Sequence, residues 1–241
     1  MPADNIEGFR ADMIAVLKDV GATIYRWPGG NFLSGYEWRD GIGDLDQRPP
    51  RYDYAWNTVE SNDMGTDEYM TWCRLLGSEP YLVVNTGFGD AYSAGQWVEY
   101  VNGSVDTPMG LLRAKNGHPQ PYGVIYWGVG NEAYGEWQLG HMSGKHYVLK
   151  HNYFAEEMLS KDPTIKLIGS GATVGEQGSQ SLLSLQSFAG GTPCSKSSET
   201  TAVDWMSTKP GSMLALESRM LFHARSTMKI ASRRFRRIYD D

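Results

Sequence analysis

Gly123-Val124-Ile125-Tyr126-Trp127-Gly128-Val129-Gly130-Asn131-Glu132 is an apolar run that stops at a polar pair. A short, nearly unbroken apolar and aromatic stretch bounded by glycines reads as a strand buried on both faces. The same pattern recurs along the chain. Residues 23–27 form a β-rich run stopped by Pro28-Gly29-Gly30, and residues 80–85 form one closed by Thr86-Gly87. Residues 165–169 and 202–207 read as two further strands.

Helical patterns lie between these runs, over residues 8–21, 66–76, 91–102 and 145–161. In the first, Phe9, Met13, Ile14, Leu17 and Val20 recur at spacings of three and four and Gly21 ends the pattern. In the second, Thr66 and Asp67 are capping candidates. Residues 31–65 hold no sustained period and read as one long loop, a feature that usually carries function in a compact domain.

Apolar strands alternating with amphipathic helices imply a parallel sheet covered by helices, either a (β/α)₈ barrel or a doubly wound sheet. A dinucleotide-binding sheet needs Gly-x-Gly-x-x-Gly after its first strand. The nearest candidate, Gly87-Phe88-Gly89, carries Tyr92 where the third glycine belongs, and no Gly-Lys-Ser/Thr phosphate loop occurs. The residues at and just beyond the strand ends are instead polar: Arg26 and Asn31, Asn85, Asn131 and Glu132. Polar side chains at successive strand C-termini are a requirement of a barrel active site. The expected fold class is therefore α/β, a (β/α)₈ TIM barrel.

Composition narrows the function. The 241 residues suffice for one large domain, and the 41% hydrophobic and 21% charged content is that of a globular protein. A formal net charge of -6 argues against nucleic acid as a partner, because phosphate binding needs a basic face. Cys73 and Cys194 form no disulfide framework or zinc spacing, and Cys73 is expected to be a buried small hydrophobe. The five histidines show no His-Glu-x-x-His arrangement, so neither a metal nor an organic cofactor is expected. No apolar run reaches the roughly 18 residues that a membrane span needs, and the N-terminus has no signal-peptide pattern. The expectation is a soluble, cytoplasmic protein with no membrane partner; homo-oligomerisation is left open.

Two segments carry the chemistry. The first presents Asn131-Glu132 at the C-terminal rim of its strand, followed by Tyr134, Trp137 and the glycines Gly135 and Gly140. In such a setting one carboxyl group can protonate a leaving oxygen and later deprotonate a water. Asn131 can hydrogen-bond a sugar hydroxyl beside the reacting carbon. By itself an Asn-Glu pair is a weak signal, since without context such a pair is more often a solvated surface feature. In the second segment, Tyr25-Arg26-Trp27-Pro28-Gly29-Gly30-Asn31-Phe32, Arg26 ends a strand and Asn31 sits in the loop beyond. Arg26 can meet substrate or close a salt bridge that holds the rim together.

These segments are joined by Gly35-Tyr36-Glu37-Trp38-Arg39-Asp40-Gly41-Ile42-Gly43 and Arg48-Pro49, then by Trp56, Glu60-Ser61-Asn62, Gly65-Thr66-Asp67-Glu68-Tyr69 and Trp97-Val98-Glu99-Tyr100-Val101-Asn102. From about residue 8 to about residue 172 the series closely resembles glycoside hydrolase family 51, the α-L-arabinofuranosidases. The resemblance implies a retaining mechanism on a (β/α)₈ barrel, with Glu132 as general acid/base. It implies that Arg26, Asn31, Trp56 and Asn131 line the arabinofuranose pocket, and that the partner is an arabinofuranosyl oligosaccharide or polysaccharide. Glu37, Glu60 and Glu68 match the pattern as well, and are read as bonding loops and caps around the rim.

The pattern breaks further on. The strands match the family's second to sixth, so the barrel is incomplete in this chain. A retaining glycosidase needs a second carboxylate roughly 5 Å from the first. The resemblance puts it in a seventh-strand motif like Asp-Glu-Trp, which this sequence lacks. The sixth-strand motif, expected as Ser-x-His-x-Tyr, reads Ser207-Thr208-Lys209-Pro210-Gly211. Residues 1–175 are accordingly expected to form the barrel core. Residues 176–241 are expected to be a divergent or truncated C-terminal part, with a basic tail that holds Arg219, Arg225, Lys229, Arg233, Arg234, Arg236 and Arg237. Two further readings stand beside the arabinofuranosidase: another retaining glycosidase on the same barrel, and a sugar-binding fragment without catalysis.

Overall fold

A computed structural model describes residues 4–171. An antiparallel pair, β1 (Asn5–Ile6) and β2 (Phe9–Arg10), leads into α1 (Ala11–Val20) and then β3 (Ile24–Trp27). The loop after β3 contains three 3₁₀ turns, over Asn31–Gly35, Trp38–Gly41 and Leu45–Gln47, and a hairpin of β4 (Arg51–Asp53) and β5 (Thr58–Glu60). Next come α2 (Thr66–Leu76), β6 (Glu79–Val84), α3 (Ala91–Asn102), α4 (Pro108–Lys115), β7 (Tyr126–Val129), α5 (Gly144–Lys161) and β8 (Lys166–Gly169).

The four strands β3, β6, β7 and β8 form one parallel sheet in the order β3-β6-β7-β8. Sequence order and spatial order coincide, whereas a doubly wound sheet reverses at its switch point. The arrangement is an arc of a (β/α)₈ barrel, incomplete among the described residues. Register aligns Trp27 with Leu82, Leu82 with Trp127 and Trp127 with Leu167, so the four strands run in step and release their loops on one rim. The strand expected over residues 202–207 and the division at residue 175 both lie outside the described residues.

The core is largely aromatic. Trp97 is 2% exposed and stacks on Trp38 with ring centroids 6.0 Å apart, while Trp27 and Trp127 meet it edge-on. Cys73 is buried in the same core at 2% exposure, and burial pushes its thiol up to about 11, so it stays a neutral apolar filler. The amphipathic reading of the first helix holds only in part. Ile14 is buried, but Met13 and Val20 are exposed.

The expected caps of α2 are corrected. Gly65 is the N-cap residue, and its N–H donates to Glu68 Oε2 at 2.9 Å. The side chains of Thr66 and Asp67 turn inward instead. Thr66 Oγ1 accepts from the Trp97 indole at 3.0 Å, and Asp67 accepts from the hydroxyls of Tyr100 and Tyr122, each at 2.8 Å. His118 Nε2 stands 4.0 Å from the same carboxylate.

Burial raises the Asp67 carboxyl above the ordinary carboxylate range, and the two tyrosine bonds only partly offset this. A folded value above the unfolded one means that stability from this group is fully present below the unfolded value and lost as pH rises through the folded one. Asp67→Asn cannot ionise and lacks that loss. The stability gap favouring the wild type, measured by urea unfolding, is expected to be narrower at about pH 7 than at about pH 4. An equal gap at both values would contradict the burial effect.

Candidate active site

The rim is built by the loops that leave β3, β6 and β7. At the end of β7 the chain turns sharply. Gly130 has φ +81°, and a Cβ there would lie 2.1 Å from Thr86 Oγ1, so only glycine fits against the β6 loop. Glu132 has φ +39°, a left-handed conformation that a non-glycine residue adopts at a cost and that concentrates at functional sites. This backbone lifts Glu132 to a half-buried position on the rim. The Trp137 indole N–H donates to its Oε2 at 3.3 Å, and Gly135 leaves room for that ring, since a Cβ there would lie 2.4 Å from Trp137 Cε2. Trp137 itself is exposed, with Tyr134 edge-on against it.

Arg26, near the end of β3, donates from Nη1 to Asn131 Oδ1 at 3.0 Å, which joins the two motif segments 105 residues apart. Asn131 Nδ2 in turn donates to Gln138 Oε1 at 3.2 Å. Gln138 is 3% exposed, and its Nε2 donates to Ser34 Oγ at 2.5 Å. Asn31 reaches the same loop by a different route. Its Nδ2 donates to the Trp137 carbonyl at 2.7 Å and its Oδ1 accepts from the Leu139 N–H at 2.8 Å. Both ends of the Asn31 amide are thus engaged with backbone on either side of Gln138.

The loops cross very closely here. A Cβ on Gly87 would lie 2.5 Å from Ser34 Cβ and 2.9 Å from the Leu139 carbonyl, and the Phe88 N–H donates to the Ser34 carbonyl at 3.0 Å. Lys150, on α5, donates to the Gly87 carbonyl at 3.0 Å, and burial lowers its ammonium. Tyr147, one turn earlier, ties the next pair of strands. Its hydroxyl donates to the Val129 carbonyl at 2.7 Å and accepts from the Ser170 N–H at 2.6 Å. Burial pushes that hydroxyl up, so it stays a neutral donor.

Of the residues expected from the sequence, Arg26, Asn131 and Glu132 come together on the rim, and Asn31 grips the loop that carries them. Trp56 lies in the turn between β4 and β5 and is 57% exposed, within the long loop that leaves β3. Glu37, Glu60 and Glu68 bond the loop: Glu37 accepts from the Arg39 N–H, Glu60 from the Asn62 N–H at 2.8 Å, and Glu68 from Arg48. Sequence reasoning missed Ser34 and Gln138 as parts of the site, and read Trp137 only as part of the aromatic setting of Glu132, not as a donor to its carboxylate. Among the described residues no group of three or more His, Cys, Asp or Glu could hold a metal ion, and no helix is long and apolar enough to cross a membrane.

Known proteins are similar to this chain in sequence and fold. The family model described as the alpha-L-arabinofuranosidase 1 domain matches residues 16–201. A probable alpha-L-arabinofuranosidase C of Aspergillus clavatus is 46% identical over 167 residues, covering 69% of this chain and 33% of that protein. The intracellular exo-alpha-(1->5)-L-arabinofuranosidase 1 of Bacillus subtilis is 39% identical over 172 residues, 71% of this chain and 34% of that one. Among solved structures, the arabinose complex of an alpha-L-arabinofuranosidase from Thermotoga maritima superposes with a TM-score of 0.68 at 48% identity, covering 70% of this chain and 35% of that chain. The chain therefore spans about a third of the length of the relatives it matches.

Proposed function

Since the chain belongs to glycoside hydrolase family 51, we propose that it supplies the acid/base half of a retaining α-L-arabinofuranosidase site. The observation that carries this reading is the placement of Glu132 on the barrel rim, beside an asparagine anchored to Arg26. Glu132 protonates the glycosidic oxygen as the bond breaks, and then takes a proton from the water that attacks the glycosyl-enzyme. The nucleophilic carboxylate comes from outside the described residues. Asn131 and Arg26 meet the furanose, Trp56 flanks the entrance, and Asn31 holds the loop in place. The substrates are terminal non-reducing arabinofuranosyl groups on arabinan, arabinoxylan or their oligosaccharides. An intracellular site of action fits the naming of the Bacillus subtilis relative.

A sugar-binding role without turnover is the second reading. It is favoured by Lys209 and Gly211, which stand where the resemblance calls for His and Tyr.

Hydrolysis of nitrophenyl α-L-arabinofuranoside, β-D-xyloside and β-D-glucoside, together with calorimetric titration of arabino-oligosaccharide, separates the readings. Turnover of the arabinofuranoside alone supports the first. Binding without turnover moves this chain to the second. If neither binding nor turnover of any arabinofuranoside is found, both fail.

A further inference from the structure

We infer that Gln138 is a positioning residue whose buried amide fixes which end of Asn131 faces the substrate. The direction of the hydrogen bonds is set by the first member of the chain. A guanidinium can only donate, so the Asn131 atom 3.0 Å from Arg26 Nη1 must be the carbonyl oxygen. The other end of that amide is then Nδ2, a donor, and the Gln138 atom 3.2 Å away must be the acceptor Oε1. Gln138 Nε2 consequently donates to Ser34 Oγ. Every bond runs one way, from Arg26 through Asn131 and Gln138 to Ser34.

Gln138 is itself held from three sides by one short segment. Asn31 and Ser34 both belong to the 3₁₀ turn Asn31–Gly35. Asn31 pins the backbone of residues 137 and 139, and Ser34 receives the side chain between them. With the peptide clamped on both sides and the side chain 3% exposed, the Gln138 amide cannot turn over without breaking its bonds. One Nδ2 hydrogen of Asn131 goes to Gln138, which leaves the second for a ligand. Asn131 therefore offers an N–H, not a carbonyl, to the sugar. A hydroxyl that accepts from it keeps its own proton to give to another acceptor.

The substrate in this assignment rests on the proposed arabinofuranosidase reading; the hydrogen-bond chain does not. The test uses the protein with Gln138→Met, which keeps the length and removes the acceptor, and Gln138→Glu, which restores an acceptor for Asn131 while the Ser34 hydroxyl rotates to donate. On an aryl α-L-arabinofuranoside the methionine variant is expected to lose roughly 10- to 100-fold in kcat/KM, the cost of an unmatched buried amide that no longer aims at the sugar. On the 2-deoxy analogue, which gives Asn131 nothing to donate to, it is expected to stay within about threefold of the wild type. The glutamate variant is expected to recover most of the loss.

Equal losses on both substrates would show a merely structural role and overturn the assignment. The side-chain amide signals of Asn131, read by nitrogen–proton NMR, give a second measure that needs no turnover. Slow solvent exchange in the wild type and in Gln138→Glu, with fast exchange in Gln138→Met, supports the chain; unchanged signals in Gln138→Met refute it. A wild type that neither binds nor hydrolyses arabinofuranosides removes the proposed function while these signals still decide the role of Gln138.

Discussion

Replacing Glu132 with alanine in the catalytically competent protein is expected to slow cleavage of unactivated arabino-oligosaccharides by roughly 10²- to 10⁴-fold, the range that a positioned acid supplies. The loss should shrink with leaving-group acidity, because a dinitrophenolate departs without a proton and an alkoxide does not. For such activated substrates the first step stays fast, and the glycosyl-enzyme accumulates for want of a base to activate water. Azide needs no base. Glu132 is half-buried on an open rim, and its removal leaves space for a small anion on the same face as the departed group. Attack from there inverts the intermediate, which is itself the product of one inversion, so the product is the α-arabinofuranosyl azide. A β-configured azide would contradict the retaining mechanism, and undiminished cleavage of the oligosaccharide would remove Glu132 from the role.

The geometry behind that prediction was only partly legible in the sequence. The strand that delivers Glu132 was visible as a short apolar run closed by glycine, although β7 itself covers only Tyr126–Val129 of it. Helix α2 was visible over its whole length, residues 66–76, but its cap was misread: Thr66 and Asp67 are typical cap residues, whereas Gly65 takes that place and their side chains turn into the core. Helix α4 was missed, although Thr107 followed by Pro108 is a cap-and-first-turn signal. Its eight residues bury only Gly110 and Arg113, so no apolar stripe announced it. The β4–β5 hairpin escaped for a similar reason: its three-residue strands are largely exposed and show no alternation.

Gln138, Ser34 and the grip of Asn31 were invisible for a different physical cause. The contacts of Asn31 and Ser34 with this loop span 104 to 108 residues, and a polar side chain in a glycine-rich loop gives no local sign of the partner it will meet. The clue in retrospect is steric. Gly87, whose missing Cβ admits both Ser34 and Leu139, marks the point where three loops must touch. Asn31 shows how the two levels interact. Its residue type and place after β3 resemble a pocket position, and the structure adds what the sequence could not show: both ends of its amide hold the backbone of the loop that carries Asn131 and Glu132.

The largest stability loss is expected at Arg48, whose side chain is 2% exposed within the loop between β3 and α2. Its guanidinium forks onto Glu68 at 2.8 and 3.0 Å and reaches the Gly43 carbonyl at 2.9 Å and the Asn62 carbonyl at 2.9 Å, and so closes the later part of the loop, where Leu45, Tyr52, Tyr54, Trp56 and Val59 are all exposed. Arg48→Ala leaves a half-buried carboxylate facing two carbonyls with no cation among them. Breaking a fully buried pair from one side costs about 3–5 kcal/mol; water still reaches the half-buried Glu68, which puts the loss here at the lower end, about 3 kcal/mol. For a chain of this size that corresponds to a fall in Tm of about 10 °C. Arg48→Lys keeps the charge but brings a single ammonium where a planar fork spanned two acceptors, so it should recover only part of the loss. The same loop carries Trp56 in its hairpin turn, so limited proteolysis of Arg48→Ala should cut first between residues 43 and 65, and KM for oligosaccharide should rise more than kcat falls. A thermal midpoint within about a degree of the wild type would show that Glu68, still accepting from the Gly65 N–H at 2.9 Å, suffices to hold the loop without its arginine.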